Sequence, residues 1–195
     1  MPPIDTGRIE AAVAEILAAI GEDAQRPGLL TTPQRVAEAY AEFFAGVGVD
    51  PVPLLRDELA TQDAPERHKG EIVLLRDIAL RSICEHHLLP FTGVAHVAYL
   101  PAERIVGLGS IARTVETLAS RPQLQERLGE DIVAAIDEAL APLGVLVVID
   151  ARHGCVGARG PRQSESTTVT VASSGALADP VRRAEVMDLI GGGGG

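Results

Sequence analysis

Four β-rich segments, arranged in two pairs around a pair of helical segments, most constrain the fold of this chain. Each is rich in β-branched and apolar residues and is bounded by glycine or proline turns; they span 71–83, 93–100, 144–155 and 166–175. The two segments between the pairs, 110–120 and 123–142, carry apolar residues at helical spacing. Strands paired around a helical hairpin predict an α+β fold, an antiparallel four-stranded sheet with two helices on one face.

The N-terminal part predicts a helical extension. Residues 5–22 and 31–46 have apolar residues at helical spacing, with Thr32 as a cap and Pro33 in the first turn of the second helix. We therefore expect a helical arm over 1–50, a connection over 51–70 and a main domain over 71–190. The terminal glycine run, 191–195, is predicted to be a disordered tail.

Charge and hydropathy exclude several classes of function. The formal net charge is −10, which argues against a nucleic-acid binder or an anionic-membrane binder, since both need a basic face. No apolar run approaches the roughly 20 residues that span a bilayer. The N-terminus lacks the basic and apolar regions of a secretory signal. We expect a cytoplasmic protein without nucleic-acid or membrane partners, although a few arginines could still hold a phosphorylated small molecule.

The rarest polar residues cluster in two places. Cys84 and His87 lie in C-E-H-H (84–87), and Cys155 follows His153 by two positions, in a chain with two cysteines and five histidines. A disulfide is disfavoured in the cytoplasm, and two inert buried cysteines are the plain alternative. The histidine neighbours make a metal site the stronger interpretation, because two thiolates and an imidazole suit Zn²⁺.

Three protein ligands would leave the fourth zinc position for water, as in catalytic sites. Glu85 is a possible fourth ligand, which would make the site structural, but ligand candidates flank it on both sides. His86 and His153 are not needed as ligands and could carry protons at neutral pH. They could equally be supporting or surface residues.

Four motifs, in this order and spacing, resemble the GTP cyclohydrolase I family: "CEHH", "VGLGSIAR", "RPQLQERL" and "RHGCVGARG". The resemblance runs from about residue 8 to residue 190. It implies a tunnelling fold and a homo-oligomer, usually a decamer of two pentamers. It also implies conversion of GTP and water to 7,8-dihydroneopterin triphosphate and formate.

The resemblance assigns roles residue by residue. Its zinc ligands match Cys84, His87 and Cys155; His153 would protonate a purine ring nitrogen, and His86 would serve ribose opening and rearrangement. Glu126 would read the guanine edge, with Gln125 nearby. The triphosphate-binding arginines match Arg113, Arg159 and, from a neighbouring subunit, Arg35.

Two positions depart from the family pattern, which usually reads G-L-S-K-x-x-R. Gly109 stands in place of the serine and Ser110 in place of a phosphate-binding lysine. Losing that charge should weaken triphosphate binding. The sequence therefore also allows a paralogue that prefers another guanine nucleotide, or stops after ring opening, in a specialised pterin or 7-deazapurine pathway. A non-catalytic nucleotide-binding ring subunit and a structural zinc module are further alternatives.

Overall fold

The computed structural model describes residues 3–57 and 61–192, which form an α+β fold. Its helices are α1 (Thr6–Ala19), α2 (Thr32–Phe43), α3 (Val52–Arg56), α4 (Leu108–Ala119), α5 (Gln125–Leu140), α6 (Gly154–Gly157) and α7 (Pro180–Gly191). Its strands are β1 (Thr61–Asp63), β2 (Val73–Cys84), β3 (Pro90–Leu100), β4 (Arg104–Val106), β5 (Pro122–Gln123), β6 (Gly144–His153) and β7 (Thr168–Gly175). Single 3₁₀ turns lie at Glu66–His68 and Ala176–Ala178.

The main sheet has the strand order β5-β2-β3-β6-β7. Its four long strands are those predicted, and they pair antiparallel. The predicted four-stranded sheet is nevertheless incomplete, because β5 adds a fifth strand that runs parallel to the end of β2. A strand of two residues carries no periodicity, so the sequence could not reveal it. β1 and β4 form a separate antiparallel pair inside the segments expected to be irregular.

The two faces of the sheet are covered differently. Side chains of β3 and β6 alternate between the faces, as extended strands require. On one face α4 and α5 build the main core, as predicted, with Ile111, Val115, Leu128, Ile132 and Ile136 packed against Val97, Val147 and Ile149. On the other face a smaller core forms around Val186 of α7, next to Leu146 and Val148. α7 therefore covers the face opposite to α4 and α5.

The N-terminal arm joins the main body at the end of α2. The Arg81 guanidinium of β2 pairs with Glu42 at 2.8 Å and lies 4.8 Å from the centre of the Phe43 ring. Just beyond, the Gly46 N–H donates to the Ser120 carbonyl at 2.9 Å. A Cβ at Gly46 would lie 1.9 Å from the Thr117 carbonyl oxygen, so only glycine permits this contact. The arm is thus fixed to the end of α4.

The terminal glycine run begins inside a helix. α7 ends at Gly191, and the Gly192 N–H donates to the Asp188 carbonyl at 2.8 Å. The remainder of the predicted tail, 193–195, lies outside the described residues. Over 3–57 and 61–192, none of the helices has both the length and the apolar character needed to cross a bilayer.

Candidate active site

The predicted ligand residues meet at one end of the sheet. β2 and β6 both flank β3 antiparallel, so they run parallel to each other and their C-terminal ends coincide. Cys84 ends β2, His87 lies in the turn that follows, and Cys155 lies in α6 directly after β6. The two sulfurs and one imidazole nitrogen lie within 4.8 Å of one another, a group that could hold a metal ion.

Backbone geometry holds this group together. The Cys84 N–H donates to the Leu89 carbonyl and the Leu88 N–H to the Cys84 carbonyl, both at 2.9 Å, which closes the turn around His87. A Cβ at Gly154 would lie 2.9 Å from the Pro90 carbonyl oxygen, so glycine lets α6 approach the start of β3. Cys84 is buried and Cys155 half-buried, whereas His87 is exposed. The group therefore lies at the surface end of the core.

The Cys155 thiol is protonated at neutral pH in the absence of a cation. Burial raises the pKa of the Cys155 thiol, the adjacent Cys84 raises it further, and Arg159 acts in the opposite direction. A bound cation inverts this balance, because a coordinating thiol is deprotonated outright. Metal binding at this group should therefore release protons.

His153 is held in a defined position beside the thiols. Its ring stacks on buried Phe91, with centroids 4.6 Å apart and planes 7° apart. Its Nε2 lies 2.7 Å from Oε1 of Gln125. Burial lowers the pKa of His153, and the Glu126 carboxylate partly offsets this. His153 is therefore mainly neutral at neutral pH.

The hydrogen bonds of Gln125 determine the tautomer of His153. The Gln125 Nε2 donates to the carbonyls of Ile149 (3.0 Å) and Thr168 (2.8 Å) and to Oγ1 of Thr170 (3.1 Å). Carbonyl oxygens only accept, so the amide nitrogen must face the strands and Oε1 must face His153. His153 Nε2 then carries the hydrogen, which leaves Nδ1 as the proton acceptor. Gln125, predicted near the substrate, has its amide engaged inside the chain.

Replacing Gln125 by leucine should therefore destabilise the protein. The side chain is 2% exposed, and its loss would remove the acceptor of the His153 N–H and a donor to two strand carbonyls. We expect the free energy of unfolding to fall by about 2–3 kcal/mol. Chemical denaturation at fixed protein concentration measures this. Gln34→Leu, at an exposed glutamine of α2, should change it by less than about 0.5 kcal/mol; equal losses for both variants would contradict the structural role.

Other predicted site residues lie near this end of the sheet. Glu126, in the first turn of α5, is exposed and lines a groove of about 560 Å³ between α5 and β7. Arg159 is exposed in the segment after α6 and is close enough to lower the pKa of the Cys155 thiol. His86 is exposed, with its ring centre 6.3 Å from that of His87. Glu85, the possible fourth ligand, is not part of the metal-binding group. Its carboxylate instead pairs with Arg127.

The remaining predicted residues lie elsewhere in the chain. The C-terminal end of α4 lies by the cysteines, since Ser82 Oγ donates to the Ala119 carbonyl at 2.7 Å. Ser110 lies nine residues earlier on this helix, about 14 Å along its axis, with Gly109 and Arg113 beside it. Arg35 is exposed on α2. Along α4, a single chain therefore holds Gly109 and Ser110 away from the helix end that lies beside the cysteines.

Sequence reasoning missed three residues of this region. Phe91 supports His153, and Gln123 and Arg127 contact the turn that carries Cys84 and His87. No local pattern marks them, because each acts on a residue at least 38 positions away along the chain or across the β5 pairing. Gln123 and Arg127 carried one indirect signal, their place in the "RPQLQERL" motif.

Soft side chains that could hold a metal, beside a half-buried, hydrogen-bonded histidine, form the kind of site found in metal-assisted hydrolases. Comparison with known proteins agrees. A family model described as GTP cyclohydrolase I matches residues 9–191. The chain therefore belongs to the GTP cyclohydrolase I family, and it is an enzyme, a hydrolase.

Individual relatives support this assignment over nearly the whole chain. A protein named GTP cyclohydrolase 1 from Leifsonia xyli subsp. xyli is 58% identical over 193 residues, which cover 99% of each chain. Another of that name from Caldanaerobacter subterraneus subsp. tengcongensis is 52% identical over 189 residues, covering 96% of this chain and 97% of the relative. A solved structure of an archaeosine synthase QueF-Like, apo form, has 18% identity and a TM-score of 0.43, covering 54% of this chain and 94% of that one.

Proposed function

We propose that this protein is a zinc-dependent GTP cyclohydrolase I that opens the imidazole ring of the guanine base and forms 7,8-dihydroneopterin triphosphate and formate. The observation that carries the proposal is the convergence of Cys84, His87 and Cys155 next to His153, whose ring is hydrogen-bonded to Gln125. Membership of the family and relatives with this name support the choice of GTP as substrate.

The ligand group fits zinc in donor type and spacing. Zinc–sulfur bonds of about 2.3 Å at tetrahedral angles place ligand atoms about 3.8 Å apart. The three ligand atoms lie within 4.8 Å of one another, so bringing them to this spacing requires a movement of only about 1 Å. With three protein ligands, the ion would supply a Lewis acid with an open position, which is the catalytic pattern.

The chain's own residues would then bind the purine and move protons. His153 accepts a proton at Nδ1 and returns it to the purine ring nitrogen, while Gln125 and Phe91 hold the imidazole in place. The Glu126 carboxylate can accept from guanine N1–H and the exocyclic amine together. His86 is proposed for the ribose steps, because it is exposed beside the ligand turn.

We propose that neighbouring subunits complete the site. Gly109, Ser110 and Arg113 precede the end of α4 that lies beside the cysteines, so they would serve a neighbour's site together with Arg35. Arg159 would bind phosphate within its own subunit's site. Both sheet edges support such an assembly. Within the described residues, β7 has no partner on its outer side and β2 pairs with β5 only at its end.

Two different open edges on one chain favour head-to-tail pairing, which closes into a ring. A tunnelling-fold decamer of two pentamers is the proposed assembly. A cytoplasmic location belongs to the proposal, because a site that depends on two free thiols needs reducing surroundings. The net charge of −10 supports the absence of nucleic-acid and membrane partners.

A second candidate is a relative with shifted nucleotide preference or a reaction that stops at ring opening. The observation favouring it is Ser110 where the family pattern has lysine. Ser110 is 2% exposed, and its hydroxyl accepts from Arg113 Nη2 at 3.1 Å. Lys69, the only lysine in the chain, is already paired with Glu66 and Glu103. The proposed triphosphate-binding region therefore has one cation fewer than the family pattern.

Restoring the family pattern should improve turnover of GTP. A Cβ at Gly109 meets nothing within 4 Å, so Gly109→Ser fits without rearrangement. Combined with Ser110→Lys, which adds a charge-assisted contact to phosphate, it should raise kcat/KM for GTP by about tenfold. Steady-state kinetics measure this, with Gly109→Ala as the control that fills the space without a hydroxyl. An unchanged kcat/KM in the double variant would contradict the idea.

The proposed function is tested by incubating zinc-loaded protein with GTP and identifying formate and nucleotide products by mass spectrometry. Dihydroneopterin triphosphate with one equivalent of formate is the expected result. Ring-opened material without pterin would favour the second candidate and place the defect in the ribose steps. Unchanged GTP, with turnover of another guanine nucleotide, would also favour the second candidate, and no turnover of any guanine nucleotide would overturn both.

A further inference from the structure

Glu85, between the ligand residues of the C-E-H-H turn, points to a role that the motif does not assign. Its carboxylate Oε2 accepts from Nη2 of Arg127 on α5. Its backbone N–H donates to the Gln123 carbonyl at 3.0 Å, where β5 pairs with the end of β2. The carboxylate and the backbone N–H of Glu85 are thus both hydrogen-bonded to β5 and the first turn of α5.

Arg127 closes these contacts into a ring. Its Nε donates to Oε1 of Gln123 at 3.2 Å, while its Nη2 reaches Glu85. Gln123 is 2% exposed, and its amide nitrogen is fixed by the Leu118 carbonyl (3.2 Å) and Asp131 Oδ2 (3.0 Å). Three hydrogen bonds among Glu85, Gln123 and Arg127 therefore link the turn to a buried, immobile anchor.

The ring joins two halves of the site. Its turn side carries Cys84 and His87. Its helix side is the first turn of α5, which carries Gln125 and Glu126. The distance between the ligand group and the histidine held by Gln125 depends on how these two segments are docked.

We propose that Arg127 is a positioning residue that fixes the metal-ligand turn relative to the first turn of α5. Glu85 is the residue through which it acts, and is an anchor rather than a fourth ligand. This inference rests on the proposed function only in taking Cys84, His87 and Cys155 as metal ligands.

The Arg127–Glu85 pair is expected to affect the precision of the ligand geometry rather than the stability of the fold. The side chains of Arg127 and Glu85 are 44% and 32% exposed, so the pair contributes little to global stability. Ligand groups, however, must be held within about 0.5 Å of the working geometry. Residues that orient metal ligands typically change metal affinity or activity by about 10–100-fold when they are removed.

The test compares zinc affinity in Arg127→Met, Glu85→Ala, Glu85→Gln and the Arg127→Met/Glu85→Ala double variant, using competition with a chromophoric chelator. We expect the first two variants to lose about tenfold or more in affinity. Glu85→Gln should keep most of it, because glutamine still accepts from Arg127. The double variant should lose no more than the worse single variant, since both break the same ring.

Three further measurements separate positioning from a general structural effect. The melting temperature of the metal-free Arg127→Met protein should fall by less than about 4 °C. Amide exchange of residues 85–88 should accelerate in the same metal-free variant. In the zinc-saturated enzyme, kcat should fall while KM for GTP changes less than about threefold, because Glu126 remains in place.

The matched control is Arg56→Met, which breaks a comparably exposed pair with Glu138 at the other end of α5. It should leave zinc affinity unchanged. Equal affinities in Arg127→Met and wild-type protein, equal losses in Arg56→Met, or additive losses in the double variant would each overturn the proposal. Zinc affinity and amide exchange need no GTP, so their failure leaves the proposed reaction untouched, and a failure of GTP turnover leaves this inference untouched.

Discussion

Cys155→Ser is expected to abolish tight zinc binding and to lower kcat by about 10³-fold or more. Serine has nearly the shape of cysteine, but its hydroxyl is not deprotonated by zinc as a thiol is, and thiolates are the ligands that zinc prefers here. Only Cys84 and His87 would remain of the group whose atoms lie within 4.8 Å. Zinc content after dialysis, measured by mass spectrometry, and steady-state kinetics with GTP test the two parts separately.

The same substitution should leave the fold intact. Cys155 lies in the one-turn helix α6, half-buried at the edge of the main core, and its change to serine replaces a single atom there. Val156→Ala, in the same turn, is the matched control and should retain both zinc and activity. A Cys155→Ser protein that keeps stoichiometric zinc would show that the other two residues and a further group suffice, and would contradict the proposed ligand set.

The long elements of the fold could be predicted because each carries its own periodicity. The strand predicted over 93–100 extends over Pro90–Leu100, and the helix predicted from residue 110 begins at Leu108. Short elements could not be predicted this way, since two-residue β5 and five-residue α3 are below the length at which a pattern exists. The face that α7 covers depends on tertiary packing, which no local pattern encodes.

The same distinction between local and long-range contacts applies to the site. Cys84 and His87 are three residues apart, and Cys155 has a histidine two positions before it, so their grouping could be inferred from local chemistry. The hydrogen bond between Gln125 and His153 joins residues 28 positions apart and depends on how α5 docks on β6. The same holds for Arg127 and Glu85, 42 positions apart. Such contacts become visible only when the sheet and helices are assembled.

The α4 residues illustrate a different limit. Gly109, Ser110 and Arg113 were assigned to the substrate by motif, but the chain places them about 9–15 Å along α4 from Ala119, at the helix end that adjoins Ser82. A motif records which residues serve a site and not which subunit supplies them. The open edges of β2 and β7 give the physical reason to look to a neighbouring chain.

His153→Ala is expected to lower kcat by about 10²–10⁴-fold while zinc binding persists. The imidazole is not part of the ligand group, so its removal takes away a proton carrier and leaves the Lewis acid. The structure gives this carrier a defined state: Nε2–H faces Gln125, and burial lowers its pKa, so Nδ1 is free to accept a proton at neutral pH. Zinc content and single-turnover kinetics with GTP separate the two effects.

His96→Asn is the matched control, because His96 is a buried histidine on β3, outside the ligand group. Its Nδ1 accepts from the Asp77 N–H at 3.2 Å, and the asparagine oxygen can replace that acceptor. This variant should keep kcat within about twofold, since His96 is not part of the group that could hold a metal. If His153→Ala lost its zinc together with its activity, the separation between metal ligands and proton carrier would be wrong, and His153 would belong to the ligand set.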